Sequence, residues 1–224
     1  MTPIQFKITY HNGDAADGRL DMYDASRSLE GFARALSITT HALLNQGEVK
    51  KKGDSIKGAK IFINPSRKGS FEEIISIVVT PEVAAAFGVS VLANSFYDLV
   101  KWTWSKTFDQ DYTPQTPQVR KLDERIEPFI GEMEEALETP LKQAHRPIDK
   151  CEDMVIVIKR VRSGEVIRLD SETSKSVSIS TDSNITYNII GNVTRYNILS
   201  GIGRFYDDEL EQTVSFKMPE NSTR

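Results

Sequence analysis

The sequence predicts an α+β protein, in which an antiparallel sheet with packed helices is followed by a small antiparallel β-sheet or barrel. Short stretches before Pro81 alternate apolar with polar residues, as half-buried strands do. A long stretch with helical spacing interrupts them, and a second series of period-two stretches begins at Met154. These patterns divide the chain into an α+β domain, residues 1–147, and a small β-rich domain, residues 148–224.

The part before Pro81 is predicted to have the order β-β-α-β-β. Its strands are predicted at residues 4–10, 19–23, 59–64 and 70–80. The helix is predicted because apolar residues recur at three- and four-residue spacings. These residues are Leu29, Phe32, Ala33, Leu36, Leu43 and Leu44. Asp24 or Ser26 is expected to cap the helix, and Gly47 to end it.

Residues 82–106 are predicted to form a single, unusually apolar helix, of which residues 83–97 carry no charge. Small residues recur at four-residue spacing at Ala84 and Gly88 and at Ala86 and Ser90. Such spacing lets helix backbones approach closely, so we expect the helix to pack in the core or against a second copy of the chain. A spanning helix needs about 20 apolar residues, which argues against a constitutive membrane span.

One further helical region and a set of short strands are predicted in the rest of the chain. Residues 118–145 have a helical pattern, which Pro128 and Pro140 are expected to kink or divide. The period-two pattern predicts strands at 154–159, 165–169, 177–180, 185–199, 202–206 and 213–218. Strands this short and this closely spaced are typical of a small sheet or barrel.

Composition argues against some classes of protein. The formal net charge of -4 argues against a protein whose whole surface binds nucleic acid. Cys151 is the only cysteine, so no intramolecular disulfide can form, as expected in a reducing compartment. The first residues lack the basic-then-apolar order of a signal peptide. We therefore predict a cytoplasmic protein.

Four aspartates lie close together in the sequence, at Asp14, Asp17, Asp21 and Asp24. Carboxylates that converge on a cation support metal-dependent hydrolysis, so a hydrolase that uses Asp14, Asp21 or Asp24 is one hypothesis. Turn formation and helix capping explain the same residues without a metal, and we prefer that interpretation. No metal site, cofactor or catalytic residue is predicted, because no assembled motif for any of them is recognisable.

Basic residues concentrate between Glu48 and Lys68 in a chain that is acidic overall. If the loop and the turn that carry them lie at one end of the sheet, their side chains form a local anion-binding surface. The candidate anion-binding residues are Lys50, Lys51, Lys52, Arg67 and Lys68. The alternative is a solvated loop that keeps a strand edge from aggregating.

The last strands carry arginine, asparagine and tyrosine, with which small barrels often bind ligands or peptides. Alternation places Arg195 and Asn197 on one face of their strand, and Arg204 and Tyr206 on one face of the next. These four residues are the candidate ligand-binding residues. Whether the two faces coincide depends on the strand register. The alternative is that these side chains are ordinary exposed residues of the sheet and bind no ligand.

Several motifs carry a family resemblance. They are Arg19-Leu20-Asp21, the stretch from Asp24 to Phe32, Arg67-Lys68-Gly69-Ser70-Phe71, Gly-x-Val-x-Arg-x-Asn from Gly191, and Gly-x-Gly-Arg-Phe from Gly201. Together they resemble a group of uncharacterised two-domain bacterial proteins. The resemblance implies a division into two parts and a bacterial source, and it implies no activity, substrate or catalytic residue.

The preferred hypothesis is a non-catalytic binding or assembly protein. It would self-associate through its N-terminal helices and carry a β-rich ligand- or partner-binding module. The expected partner is a second copy or another protein, with an anionic ligand at the basic loop as a further candidate. The alternatives are the hydrolase and a conditional membrane-acting protein that exposes residues 83–104.

Overall fold

The computed structural model describes residues 3–51, 55–64, 71–123, 129–161, 163–178, 190–197, 202–209 and 212–218. Within these residues the chain forms a five-stranded antiparallel sheet, helices packed on one face of it, and a three-stranded antiparallel sheet. The predicted α+β class is confirmed.

The five-stranded sheet combines strands from both halves of the sequence. They are β1 Ile4–His11, β2 Ala59–Asn64, β3 Glu72–Val79, β4 Val155–Arg160 and β5 Ser163–Leu169. Their order is β2-β3-β1-β4-β5, and every neighbouring pair is antiparallel. The central strand β1 is therefore the first in the chain, and β2 and β5 are the edges.

Seven described helices accompany the sheet. They are α1 Met22–Leu44, α2 Pro81–Phe87, α3 Val89–Thr107, α4 Pro117–Asp123, α5 Phe129–Ala144, α6 Arg146–Lys150 and α7 Ser171–Ser178. They cover the face of β1 that carries Phe6 and Tyr10. Phe6 stacks on Phe96 of α3 with 5.9 Å between ring centroids, and the hydroxyl of Tyr10 lies 3.0 Å from that of Ser28 on α1.

Helices α1 and α5 are in backbone contact at Gly31. A Cβ atom at this position would lie 2.4 Å from the carbonyl oxygen of Pro140 and 2.5 Å from the main-chain nitrogen of Ala144. Glycine is therefore required for the two helices to pack at this distance. The Ser28 hydroxyl adds a hydrogen bond to the Ala144 carbonyl at 2.7 Å. Pro140 does not divide α5, which continues to Ala144, and Pro128 lies outside the described residues.

The prediction of a strand at residues 19–23 is wrong, because this segment leads into α1. A short 3-10 helix at Gly13–Asp17 precedes it. The Asp21 carboxylate accepts hydrogen bonds from the main-chain N–H groups of Tyr23 and Asp24, at 2.9 and 3.0 Å. Asp21 is therefore the cap, in place of the predicted Asp24 or Ser26.

The apolar helix predicted at residues 82–106 is two helices, α2 and α3, that meet at Gly88 with a bend of 87°. Gly88 has a φ of 76°, a left-handed conformation that favours glycine and ends α2. No described atom lies within 4 Å of a Cβ placed there, so the close helix contact expected at Gly88 is not formed within the described part of the chain. Among the described residues no single helix is long and apolar enough to cross a membrane; α2 and α3 pass only as this bent pair.

Two strands assigned by sequence to the second part, at 154–159 and 165–169, belong to the five-stranded sheet as β4 and β5. Strand β4 pairs with β1, and Ile158 lies opposite Ile8 with both side chains fully buried or nearly so. Local periodicity cannot reveal this pairing, because the two strands are far apart in the sequence.

The prediction of a strand at 177–180 is also wrong for the residues that the structure describes, 177 and 178, because they form the end of α7. The Asp170 carboxylate accepts hydrogen bonds from the main-chain N–H groups of Glu172 and Thr173 at 3.1 and 3.0 Å and so starts this helix.

The three-stranded sheet consists of β6 Gly191–Asn197, β7 Ile202–Asp207 and β8 Gln212–Lys217, in that order. The predicted strands at 202–206 and 213–218 are confirmed. Tyr196 and Phe216 both pair with Gly203 in the central strand, and their rings stack 6.0 Å apart above it. The two aromatic side chains thereby fill the space that the glycine leaves empty.

Candidate binding groove

The edge strand β2 is the most unusual surface of the five-stranded sheet. Among the described residues, β3 is its only strand partner, so its outer edge presents main-chain N–H and C=O groups. Phe62 and Ile63 are 48% and 56% exposed, and Lys60 is the only charged residue in the strand. Edge strands usually carry charges, prolines or bulges that discourage pairing, and β2 has little of this protection within its bounds.

Helix α1 lies alongside this edge and forms the second wall of a groove. The residues of α1 that line it recur at three- and four-residue spacing and therefore share one face of the helix. They include the small side chains of Ser26, Ala33 and Ser37, together with Leu29. Because three of these side chains are small, α1 leaves open space between itself and β2.

The floor of the groove is apolar and belongs to the main core. Ile8, Phe32, Leu36 and Ile75 contribute to it, and each is at least nine-tenths buried. The groove has a volume of about 1230 Å³. Ring stacking between Phe32 and Trp104, 6.2 Å apart, fixes the floor to α3. The groove is therefore a preformed feature of the fold.

Two cations border the groove. Arg34 on α1 and Lys60 on β2 are exposed, and within the described residues neither forms an ion pair. Glu30 also lines the groove, but it forms an ion pair with Arg27 at 2.8 Å. Among the described residues, the uncompensated charge at the groove is therefore positive.

The predicted anion-binding residues are only partly described. Lys50 donates hydrogen bonds to the carbonyl and hydroxyl oxygens of Ser55, at 3.0 and 3.2 Å, and Ser55 is at the rim of the groove. Lys51 forms an ion pair with Glu135 at 2.7 Å. Lys52, Arg67 and Lys68 lie outside the described residues. A joint anion site for these five residues stays a prediction.

The predicted ligand-binding residues are near one another in the small sheet, since the register pairs Arg195 with Arg204 and Asn197 with Ile202. Arg204 is only 8% exposed; its guanidinium donates to the carbonyl of Thr107 and contacts the Asp109 carboxylate. Tyr206 is 37% exposed. The side chains of Arg195 and Asn197 lie outside the described part of the structure. Ligand binding by this group stays a prediction, and Arg204 has a structural contact of its own.

The four clustered aspartates do not share one site. Asp21 caps α1, Asp24 forms an ion pair with Arg146 at 2.8 Å, and Asp17 forms one with Arg19 at 3.2 Å. Asp14 lies in the 3-10 helix. In the part of the chain that the structure describes, no three His, Cys, Asp or Glu side chains are grouped so that they could hold a metal ion.

His145 is a buried structural residue. Its Nδ1 lies 2.7 Å from the carbonyl of Leu141 and therefore donates, and its Nε2 lies 2.9 Å from the Thr173 hydroxyl. Phe108 packs edge-on against the ring at 5.3 Å. Burial lowers the pKa of His145 to about 4, so the imidazole is neutral at physiological pH.

Asp98 is a buried carboxylate that the sequence analysis did not assign to any role in the fold. It accepts hydrogen bonds from the Tyr112 hydroxyl at 2.8 Å, from the main-chain N–H of Gln115 at 2.9 Å, and from the N–H and hydroxyl of Thr116 at 2.6 and 2.7 Å. Burial, together with this contact to Asp98, raises the pKa of Tyr112 to about 12. Asp98 thus fixes the segment before α4.

Fold and site together define an α+β protein with an open apolar groove beside a sheet edge, in which the described titratable groups have mainly structural contacts. Residues 6–178 match the family described as "Domain of unknown function (DUF7946)", and the chain belongs to that family. The match covers the five-stranded sheet, except for the first two residues of β1, together with α1 to α7, and it ends before β6. No curated protein and no solved structure matches the chain.

The groove was missed in the sequence because its walls contain residues that helical periodicity assigns to the core. Ala33 was placed on the buried face of the helix, but it is exposed and lines the groove. Two signals pointed to it: a mostly apolar strand with one lysine at 59–64, and small residues repeated along one face of α1. Neither signal shows that the two elements are neighbours.

Proposed function

We propose that the protein is a non-catalytic binding protein that takes an extended polypeptide segment into the groove between α1 and β2. The observation that carries this proposal is the outer edge of β2, which has no strand partner among the described residues and borders an apolar groove. In β-strand addition, main-chain hydrogen bonds to such an edge give affinity, and alternate side chains enter a neighbouring pocket.

The dimensions of the groove suit this mode of binding. The six residues of β2 extend for about 20 Å at the usual rise of a strand, so they offer hydrogen bonds to a segment of similar length. Side chains on one face of the added strand would point toward α1 and cover the apolar floor. The exposed Phe62 and Ile63 would lose solvent contact at the same time.

Binding is preferred to hydrolysis because the candidate carboxylates already have structural contacts. Two of the three aspartates proposed for a hydrolase are engaged in this way. Asp21 caps α1, and Asp24 forms an ion pair with Arg146. Among the described residues, the groove itself is lined by a single acidic residue, Glu30, whose carboxylate is held by Arg27. No observation favours a nucleophile or a general base there.

Self-association is a second proposal, supported by the corner at which α2 and α3 meet. Phe87 and Val91 are 40% and 43% exposed, and α2 buries none of its residues. An exposed apolar corner of this kind suits a contact with a second copy. Light scattering should show a smaller particle for Phe87→Glu than for the unmodified protein; a monomeric unmodified protein would contradict the proposal.

We also retain three expectations from the sequence as proposals: a bacterial source, a cytoplasmic location, and an anionic ligand at the basic loop that contains Lys50 and Lys51. The single cysteine supports the second, and the concentration of lysines supports the third.

Selection of random peptides displayed on phage tests strand addition. We expect the full chain to enrich peptides in which apolar residues alternate with polar ones. Ala33→Trp, which fills the groove from an exposed helix position, should abolish binding of the enriched peptides. Ala85→Trp, the same change at an exposed helix position outside the groove, should not affect it. Enrichment of no peptide, or equal binding by both variants, would contradict the proposal.

A further inference from the structure

The charge at the groove indicates which charge its partner should carry. Arg34 lies on the helix wall and Lys60 on the edge strand β2, and within the described residues neither has an anionic partner. Among the described residues, the one acidic residue that lines the groove is Glu30, which is engaged by Arg27. In this described part of the groove, a ligand that brings carboxylates would meet two cations and no free anion.

The position of Lys60 indicates where one of these carboxylates belongs. Lys60 pairs with Val78, and its neighbour Ile61 pairs with Ile77, which is fully buried under the helices. Side chains alternate along a strand, so Lys60 projects from the face of the sheet that is turned away from the helices. A residue that lies opposite Lys60 in an added strand shares this face and forms a direct cross-strand pair with it.

We infer that the partner is an acidic extended segment, in which apolar residues facing α1 alternate with glutamate or aspartate on the opposite face. This inference rests on the proposed strand addition. Lys60 pairs with a carboxylate in this outer row, and the positive charge of Arg34 on the helix wall adds a longer-range attraction. A fatty acid also combines an apolar chain with a carboxylate, but it offers no main-chain groups to the edge of β2.

Three seven-residue peptides that differ only at their polar positions test the inference. Each alternates valine with one other residue, which is glutamate, glutamine or lysine, and binding is followed by fluorescence anisotropy. We expect the glutamate peptide to bind about two- to fivefold more tightly than the glutamine peptide, as one exposed ion pair would produce. The lysine peptide should bind most weakly, and the preference should shrink at high salt.

Variants of Arg34 and Lys60 test whether these two residues cause the preference for the glutamate peptide. The double variant Arg34→Gln, Lys60→Gln should bind the glutamate and glutamine peptides equally. The matched double variant Lys121→Gln, Lys150→Gln removes the same charge from exposed positions outside the groove and should keep the preference. Equal changes in both double variants would show that net charge alone is responsible, and would overturn the inference.

The remaining outcomes separate the two proposals. If all three peptides bind equally and Ala33→Trp blocks them all, strand addition stands and the acidic partner is wrong. If no peptide binds the unmodified protein, both proposals fail. An N-methylated glutamate peptide lacks the main-chain N–H groups that strand addition needs. If this peptide binds as well as its parent, and if oleate displaces the parent peptide but does not bind the Ala33→Trp variant, the groove binds lipids and both proposals fail.

Discussion

The side chain of Arg204 donates a hydrogen bond to the main-chain oxygen of Thr107 over 3.0 Å, and this contact connects the three-stranded sheet to the last residue of α3. Carbonyl oxygens at a helix C-terminus carry partial negative charge, so a guanidinium is well suited to them. The Asp109 carboxylate meets the same side chain. Arg204 therefore anchors the three-stranded sheet to the end of α3.

Replacement of this anchor should loosen the small sheet. Arg204→Gln removes the charge and leaves the buried partners without it, at a cost of about 1.5–3 kcal/mol for a charged hydrogen bond. Hydrogen exchange should accelerate in β6 to β8 and stay unchanged in β1. Tyr206→Phe, a change at the exposed neighbour on the same strand face, is the control and should have little effect. Unchanged exchange in Arg204→Gln would show that other contacts hold the sheet.

The contact between α1 and α5 predicts an unusual response to a glycine substitution. Alanine normally stabilises a helix relative to glycine by about 1 kcal/mol. At Gly31 the added Cβ would lie 2.4 Å from the Pro140 carbonyl oxygen, so Gly31→Ala should instead destabilise the protein by about 1–3 kcal/mol or more. Urea denaturation measures the difference.

Gly164 provides the matched control for this substitution. A Cβ at Gly164 meets nothing within 4 Å in the described structure, and its φ lies outside the left-handed region. Gly164→Ala should therefore leave the free energy of unfolding nearly unchanged. A similar loss of stability in both variants would mean that the α1–α5 contact is not the cause.

Burial of His145 predicts a loss of stability in mild acid. Desolvation outweighs the nearby charges of Asp149 and Asp170 and lowers its pKa to about 4, from an ordinary value of about 6.5. Between these two values the unfolded chain binds a proton that the folded protein does not, so stability falls as pH decreases through this window. The contribution is at most about 1.4 kcal/mol per pH unit.

The variant His145→Gln isolates this contribution, because glutamine does not titrate and can still donate and accept hydrogen bonds. Urea denaturation at pH 7.5 and pH 5 should show a smaller loss of stability in the variant than in the unmodified protein. Identical losses would contradict a neutral, buried His145.

Local sequence signals predicted much of the fold, and contacts between distant residues account for the rest. Strand β2 was predicted with its observed bounds, since apolar alternation and the flanking turn residues are local. The start of α1 was misplaced, because Ser, Asp and Asn all cap helices and several candidates follow one another there. The pairing of β4 with β1 joins residues far apart in the chain, and no periodicity reveals it.

The candidate site was harder to predict than the fold, because it depends on which residues stay exposed. Ala33 has the spacing of a core residue and lies in the groove, whereas Arg204 has the chemistry of a binding residue and is buried against α3. Residue type alone reveals neither of these contacts. Only the packing of α1 beside β2, and of β7 beside α3, distinguishes them.

Hydrogen exchange of the β2 amides with and without a bound peptide tests the central proposal most directly. If a segment adds to this edge, amides within Ala59–Asn64 should exchange at least about tenfold more slowly in the complex, and those of the opposite edge β5 should not change. Ala33→Trp should show no protection at any peptide concentration. Protection confined to the three-stranded sheet, or peptide binding that leaves β2 exchange unchanged, would contradict strand addition in the groove.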